Sequence, residues 1–233
     1  MAKAPPTPTV IAIDGPAGGG KSTVARELAA ALGPDWAYLD TGAMYRAVTV
    51  VALEQGVPLG DGKALAALAR AMAIDLSRDG TVRVNGRDVS EAIRTERVNA
   101  AVSRVAERPE VRAVMVKHQR RFAERFGRVV ADGRDMATVV FPKAVVKVFL
   151  TASLEERARR RSEEMRAADP RVTISDVRSS IEKRDREDEG RAAGRLYQHE
   201  DAVRIDTTGM TPAEVLDAVK ALVVSRVPPV AGR

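Results

Sequence analysis

The residues from Gly15 to Ser22 read GPAGGGKS and match the phosphate-binding pattern G-x-x-x-x-G-K-[ST] in full. Glycines let consecutive backbone N–H groups curl around phosphate oxygens. In this pattern Lys21 reaches the β- and γ-phosphates, and the Ser22 hydroxyl ligates Mg²⁺. The motif therefore predicts a site for a nucleoside triphosphate with Mg²⁺. Its predicted nucleotide-binding residues are Gly15, Pro16, Ala17, Gly18, Gly19, Gly20, Lys21, Ser22 and Thr23.

Two carboxylates follow another predicted strand, at residues 128–132. Asp132 ends that strand and Asp135 lies in the loop after it. A carboxylate at a strand end beside a phosphate loop can bind Mg²⁺ or its waters, and we predict this role for Asp132. For Asp135 three interpretations stay open: the same metal role, a hydrogen bond from a base amino group, or an N-cap for the following turn.

Arginines recur where they could surround a travelling phosphoryl group. Transfer to an alcohol benefits from a carboxylate base, whereas transfer to a phosphate needs several cations to bring two polyanions together. Arginine recognises phosphate through a planar, bidentate fork, so this chain favours a phosphate acceptor. The candidate side chains are Arg46, Arg112, Arg134, Arg157, Arg160, Arg161, Arg184 and Arg191, with Asp188 on the helix face shared by the last two.

Five short apolar segments, separated by helix-forming stretches, must position these groups. This alternation predicts a parallel sheet flanked by helices, with ligands at the carboxyl ends of the strands. The predicted strands are 9–13, 36–39, 128–132, 145–150 and 202–206. The predicted helices are 22–32, 43–54 after a turn at 40–42, 62–73, 95–107, 110–126, one from a capping box at 153–156, 173–190 and one from Thr211.

Residues 74–90 have a different character from the rest of the chain. Asp79-Gly80 and Asn85-Gly86 are hairpin-turn signals between short alternating runs. We therefore predict a small three-stranded antiparallel insert. It is too small to be stable alone, so it must pack on the main body.

Composition restricts the partners. The 233 residues carry a net charge of +6, no cysteine and only 3% aromatic residues. Few aromatic platforms are available for stacking bases, so the basic charge favours a phosphate site over nucleic acid. No apolar run approaches the length of a membrane span, and the N-terminus has no apolar signal region. A cytoplasmic protein is expected, with flexible tails at 1–8 and 226–233.

Several motifs taken together resemble the bacterial cytidylate kinases, the CMP/dCMP kinases. The resemblance covers about residues 9–225 and is far more specific than the phosphate loop alone. The segments that carry it are 13–23, 39–46, 88–90 through 93–94, 131–136, 139–142, 155–157 and 183–185. Departures are small: Gly19 stands where alanine is frequent and Ala137 where glycine is common, and segment 185–191 is unusually acidic.

The resemblance implies an α/β P-loop fold of three layers, with a central five-stranded parallel sheet flanked by helices. A small antiparallel β insert and a short helical lid would complete it. One domain would span 9–225. Its core would be about 9–40, 126–160 and 195–225, its CMP-binding region about 41–125 with the insert about 74–90, and its lid about 160–190.

The resemblance also implies residue roles. Thr41 would contact the cytosine, and Arg112 and Asp135 would read it, with Ser103 close by and Tyr45 lining the pocket. The residues on the CMP phosphate would be Arg46, Arg134 and Arg184. The residues that reach the transferring phosphoryl group, besides Lys21 and Arg134, would be Arg191 and either Arg157 or Arg161. Asp188 would recognise the sugar hydroxyls.

The implied activity is transfer of the γ-phosphoryl group of Mg-ATP to CMP or dCMP by a monomer, giving CDP or dCDP and ADP. A carboxylate that accepts from the cytosine amino group would repel the carbonyl of uracil, so CMP should be preferred over UMP. Two alternatives stay open. One is another P-loop small-molecule kinase, acting for example on shikimate or AMP; the other is a nucleotide-dependent switch or nucleic-acid-binding ATPase.

Overall fold

A five-stranded parallel sheet forms the centre of the fold in the computed structural model, which describes residues 7–77, 80–167 and 169–227. The strands of this sheet and of a second, three-stranded sheet are, in chain order, β1 (Thr9–Asp14), β2 (Ala37–Asp40), β3 (Ile74–Leu76), β4 (Val82–Val84), β5 (Arg87–Asp88), β6 (Arg128–Gly133), β7 (Val146–Thr151) and β8 (Val203–Asp206). The sheet order is β2-β6-β1-β7-β8, with all pairs parallel. The predicted fold class is therefore confirmed, and β1 occupies the centre.

Helices cover both faces of this sheet. The α-helices in the described ranges are α1 (Lys21–Leu32), α2 (Thr41–Glu54), α3 (Gly62–Ala71), α4 (Glu96–Ala106), α5 (Pro109–Phe126), α6 (Leu154–Arg166), α7 (Ile174–Gly190) and α8 (Pro212–Arg226). Alternate residues of a strand point to opposite faces. Ile11 and Ile13 of β1 accordingly pack with α1 and α8, whereas Val10 and Ala12 pack with α2 and α5.

The predicted antiparallel insert is present as strands β3, β4 and β5. Asn85 and Gly86 connect β4 to β5 with φ angles of 51° and 82°, the left-handed pair that a type I′ turn requires. Leu76, Val82 and Val84 are buried in the core shared with α2 and α5, so the insert is part of the main body. Asp79 of the other predicted turn lies outside the described residues.

The structure corrects one predicted helix start and one predicted capping box. Helix α2 begins at Thr41 and not at 43, because the Asp40 carboxylate accepts from the Ala43 N–H at 2.8 Å and caps it. The capping box at 153–156 is only half formed. Ser153 accepts from the Glu156 N–H, but the Glu156 carboxylate accepts from Arg159 and Arg160. A complete capping box begins α8 at Thr211.

The described residues do not include either end of the chain. Of the predicted tails, residues 1–6 and 228–233 lie outside the described residues, while α8 continues through Arg226. None of the helices in the described ranges is long and apolar enough to cross a membrane.

The hairpin turn gives a stability prediction. Replacing Gly86→Ala should lower the free energy of unfolding by about 1–2 kcal/mol, because a Cβ is disfavoured at φ 82°. Gly60→Ala is the matched control, since its Cβ would meet open space and its φ is ordinary. Urea denaturation measures both. Equal unfolding free energies for the two variants would contradict the strained-turn interpretation.

Candidate active site

The phosphate loop joins β1 to α1 at the carboxyl edge of the sheet. Gly18 and Gly20 have φ angles of 73° and 77°, which L side chains rarely adopt. The Lys21 ammonium is buried and donates to the Pro16 carbonyl at 2.7 Å. Burial and the nearby Arg134 lower the pKa of Lys21. The helix dipole of α1 and a buried cation therefore point at the same small volume, as an anion site requires.

Asp132 lies beside this loop on β6, the strand next to β1. Its carboxylate accepts from the Ser22 hydroxyl and from the Tyr38 hydroxyl, both at 2.8 Å. Burial and the neighbouring Asp40 raise the pKa of Asp132. A hydroxyl and a carboxylate in contact are a donor set that suits Mg²⁺. Tyr38 was not among the predicted site residues, and a tyrosine on a short apolar strand carries no signal of such a partner.

Asp14 is a second residue that the sequence analysis did not single out. Its two carboxylate oxygens accept from the N–H groups of Met136 and Ala137, each at 2.8 Å. Burial raises the pKa of Asp14 to about 6. Asp14 thus caps the π-helical segment Met136–Val140; in the described structure Asp135 does not cap it. The available signal was an acidic residue between an apolar strand and the phosphate loop.

Four of the residues predicted for the base site come together around the loop that follows β6. Arg112 forms a buried ion pair with Asp135, the two side chains being 6% and 4% exposed. The Arg112 guanidinium also lies 5.6 Å from the centre of the Tyr45 ring. The Thr41 hydroxyl donates to the Asp132 carbonyl at 2.6 Å, which places it at the start of the loop that carries Asp135. Ser103 lies half-buried on α4.

A cluster of basic side chains, Arg46, Arg134, Arg184 and Arg191, lies between these two sites, with Asp188 in its middle. Asp188 is 1% exposed and accepts from Arg134 and Arg191, at 2.5 Å each. Although burial opposes its ionisation, these arginines hold the pKa of Asp188 below its ordinary value.

The cluster carries more positive charge than its carboxylate balances. Burial, and then Arg134, lower the pKa of Arg184 to about 10. Within the described residues, the Nε atoms of Arg184 and Arg191 are buried and meet no hydrogen-bond acceptor. Buried guanidinium N–H groups without acceptors are costly, and an anion placed among them would satisfy both charge and geometry.

The two arginines predicted as alternatives, Arg157 and Arg161, have different environments. Arg157 is buried and donates to the carbonyls of Ala17 and Ala152, at 2.9 and 3.0 Å. Arg161 is half-exposed and pairs with Glu164 at 2.8 Å. Arg161 also contributes, after burial and Arg134, to lowering the pKa of Arg46, so its charge lies near the basic cluster. Arg157 is thus held against the phosphate loop, whereas the Arg161 guanidinium remains accessible.

The parallel sheet, the phosphate loop and the basic cluster beside it are those of a P-loop phosphotransferase of the nucleoside monophosphate kinase class. The family model for cytidylate kinase matches residues 11–225. The chain belongs to the cytidylate kinase family. It is an enzyme that phosphorylates CMP or dCMP, which sets aside the shikimate, AMP and switch alternatives.

Curated relatives agree over nearly the whole chain. The cytidylate kinase of Solibacter usitatus is 47% identical over 220 residues, covering 94% of this chain and 93% of the relative. That of Caldanaerobacter subterraneus is 50% identical over 210 residues, covering 90% and 92%. That of Geobacillus sp. is 48% identical over 220 residues, covering 93% and 97%.

Tyr38 gives the first prediction for activity. Tyr38→Phe removes one of the two hydroxyl donors that hold Asp132, so kcat/KM should fall about 10-fold, the lower end for losing a hydrogen bond to a charged group. Ser225→Ala is the control, because it removes an exposed hydroxyl in the last turn of α8 that donates to the Leu222 carbonyl. Steady-state kinetics measures both. A Tyr38→Phe enzyme with wild-type kcat/KM would show that the hydroxyl does not position Asp132.

The lowered pKa of Lys21, about 7, gives a pH prediction. Above pH 7 the Lys21 amine of the nucleotide-free enzyme is mostly neutral. The phosphate groups of a bound nucleotide favour its charged form. Nucleotide binding at pH 8 should therefore take up close to one proton. Calorimetric titration in buffers of different ionisation enthalpy measures this uptake. Lys21→Met, titrated at higher nucleotide concentration, supplies the baseline, and equal uptake in the two proteins would contradict the prediction.

Proposed function

We propose that the chain transfers the γ-phosphoryl group of Mg-ATP to the phosphate of CMP or dCMP, giving CDP or dCDP and ADP. The observation that carries this proposal is the basic cluster of Arg46, Arg134, Arg184 and Arg191 beside the phosphate loop. Arg134 and Arg184 both lower the pKa of Lys21, so the two anion sites are electrostatic neighbours. Two phosphate sites in contact suit phosphoryl transfer between two nucleotides.

The loop from Gly15 to Thr23 would hold the phosphates of ATP, with Lys21 as the cation on the transferring group. Ser22 and Asp132 would hold Mg²⁺, because their oxygens already lie together at 2.8 Å. A metal ion held by these two residues would supply positive charge that offsets the charge developing during transfer. Tyr38 would keep the second oxygen of Asp132 in place.

The acceptor phosphate would lie among Arg46, Arg134 and Arg184. Its oxygen is already anionic, so no carboxylate base is needed to activate it. Arg191 and Arg161 would approach the transferring group, Arg161 from the lid at about 160–190. Bringing two polyanions into line is the main catalytic task, and positive charge fixed before binding lowers its cost.

The cytosine would lie against Tyr45, between Thr41 and the ion pair of Arg112 with Asp135. Asp135 would accept from the cytosine amino group, with Ser103 nearby. Mispairing with the uracil carbonyl costs on the order of 1–3 kcal/mol, which gives preference without exclusion. Asp188 would recognise the sugar while its oxygens remain paired with arginines. The division into core, CMP-binding region and lid, a monomeric state and a cytoplasmic location stay predictions.

ADP formation from Mg-ATP with CMP, dCMP, UMP, AMP, GMP and shikimate as separate acceptors tests the proposal. We expect fast turnover with CMP and dCMP, slow turnover with UMP and none with the others. Turnover with none of the six would overturn the proposed donor or acceptor.

The arginine cluster gives a mutational prediction. Arg46→Ala should lower kcat/KM for CMP. The loss should correspond to about 2–5 kcal/mol of activation free energy, the scale for a desolvated charge contact. The matched control is Arg159→Ala, since Arg159 is half-exposed and its ion pairs are with Glu156 and Glu163 of its own helix. Unchanged kcat and KM in the Arg46→Ala enzyme would remove this residue from the acceptor site.

A further inference from the structure

We infer that Asp185 and Arg157 form a clamp on the phosphate loop and act as positioning residues for phosphoryl transfer. The inference rests on the proposed use of ATP as donor. The Ala17 N–H donates to Asp185 at 3.0 Å, and the Ala17 carbonyl accepts from Arg157 at 2.9 Å. Arg157 and Asp185 pair with one another at 2.5 Å. One ion pair therefore holds both polar groups of a single residue of the loop.

Packing shows that the clamp joins the lid helices directly to the loop. The Ala17 side chain packs with Ala158 of α6 and with Val177 and Ile181 of α7. A Cβ at Gly18 would lie 3.3 Å from atoms of Arg157 and Ile181. The loop thus rests against both helices, and the clamp supplies the polar contacts of that interface.

Helix α7 connects the clamp to the acceptor site. Arg184 immediately precedes Asp185, and Asp188 follows it by three residues. Arg184 and Asp188 belong to the basic cluster, while Asp185 contacts the phosphate loop. One helical turn is rigid, so whatever holds Asp185 also sets the spacing between the acceptor cluster and the donor loop. Reaction rate depends steeply on such spacing.

This geometry predicts which step fails when the clamp is broken. Asp185→Asn keeps an oxygen for the Ala17 N–H but loses the charge that holds Arg157. We expect kcat to fall about 10- to 100-fold, as for a small misplacement of reacting groups. The dissociation constant of CMP measured without ATP should stay within about twofold, because the acceptor cluster is intact. Asp185→Ala should lower kcat further than Asp185→Asn does, because it also removes the acceptor for the Ala17 N–H.

Two comparisons separate positioning from a general structural role. Glu182→Gln removes one charge from the exposed side of α7 and should leave kcat unchanged. Arg157→Gln combined with Asp185→Asn should be no worse than the more damaging single variant, since the pair acts as a unit. If Arg157 instead contacted the transferring group, its loss would cost far more than that of Asp185 and the two effects would multiply.

Hydrogen–deuterium exchange of the loop supplies a readout that needs no turnover. Asp185→Ala should speed exchange at residues 15–20 while α5 keeps its protection. Unchanged loop exchange, wild-type kcat in Asp185→Asn, or parallel losses in kcat, CMP affinity and melting temperature would each overturn the inference. Hydrogen exchange does not depend on the phosphoryl donor. A wild-type enzyme that is inactive with ATP would therefore defeat the proposed function, while the exchange experiment would still test the clamp.

Discussion

A surplus of buried positive charge at the carboxyl edge of β1 is the constraint on which the rest of the site depends. Lys21, Arg134, Arg184 and Arg191 are drawn into a small volume. Burying charge is costly unless it is paired, and the lowered pKa values of Lys21 and Arg184 express that cost. Arg134 and Arg191 share the single carboxylate of Asp188, and the buried Nε atoms of Arg184 and Arg191 meet no acceptor among the described residues.

Aspartates provide most of that compensation, and each also joins two parts of the fold. Asp132 links β6 to α1 and β2, Asp14 links β1 to the segment Met136–Val140, and Asp188 links α7 to the loop after β6. Asp185 links α7 to the phosphate loop. The same carboxylates that lie near the buried cations thus set the distances among the strands, the phosphate loop and α7.

Local sequence signals predicted the parts of the molecule that depend on local physics. The phosphate loop, the alternation of strands and helices, and the hairpin at Asn85-Gly86 each rest on φ preferences, periodicity or turn chemistry within a few residues. The strand pattern therefore sufficed for the sheet. Helix caps were less secure, because a cap depends on which partner a carboxylate finds, as Asp40 and Glu156 show.

Side-chain contacts between residues distant in sequence could not be predicted from local sequence signals. Arg157 and Arg161 are one helical turn apart and equivalent in type, and only the packing of α6 on the phosphate loop separates them. Tyr38 and Asp14 acquire their partners from strands distant in sequence. The resemblance to a family supplied candidate roles for most of the cluster, but it did not indicate these connecting residues.

Calorimetric titration of the enzyme with CMP and, separately, with cytidine tests the central claim most directly. If the surplus charge is organised for the acceptor phosphate, cytidine should bind at least about 100-fold more weakly than CMP, the loss expected for two hydrogen bonds to charged groups. The difference should shrink as salt is added. Cytidine binding within about fivefold of CMP would contradict the account and would show that the arginine cluster does not serve the acceptor phosphate.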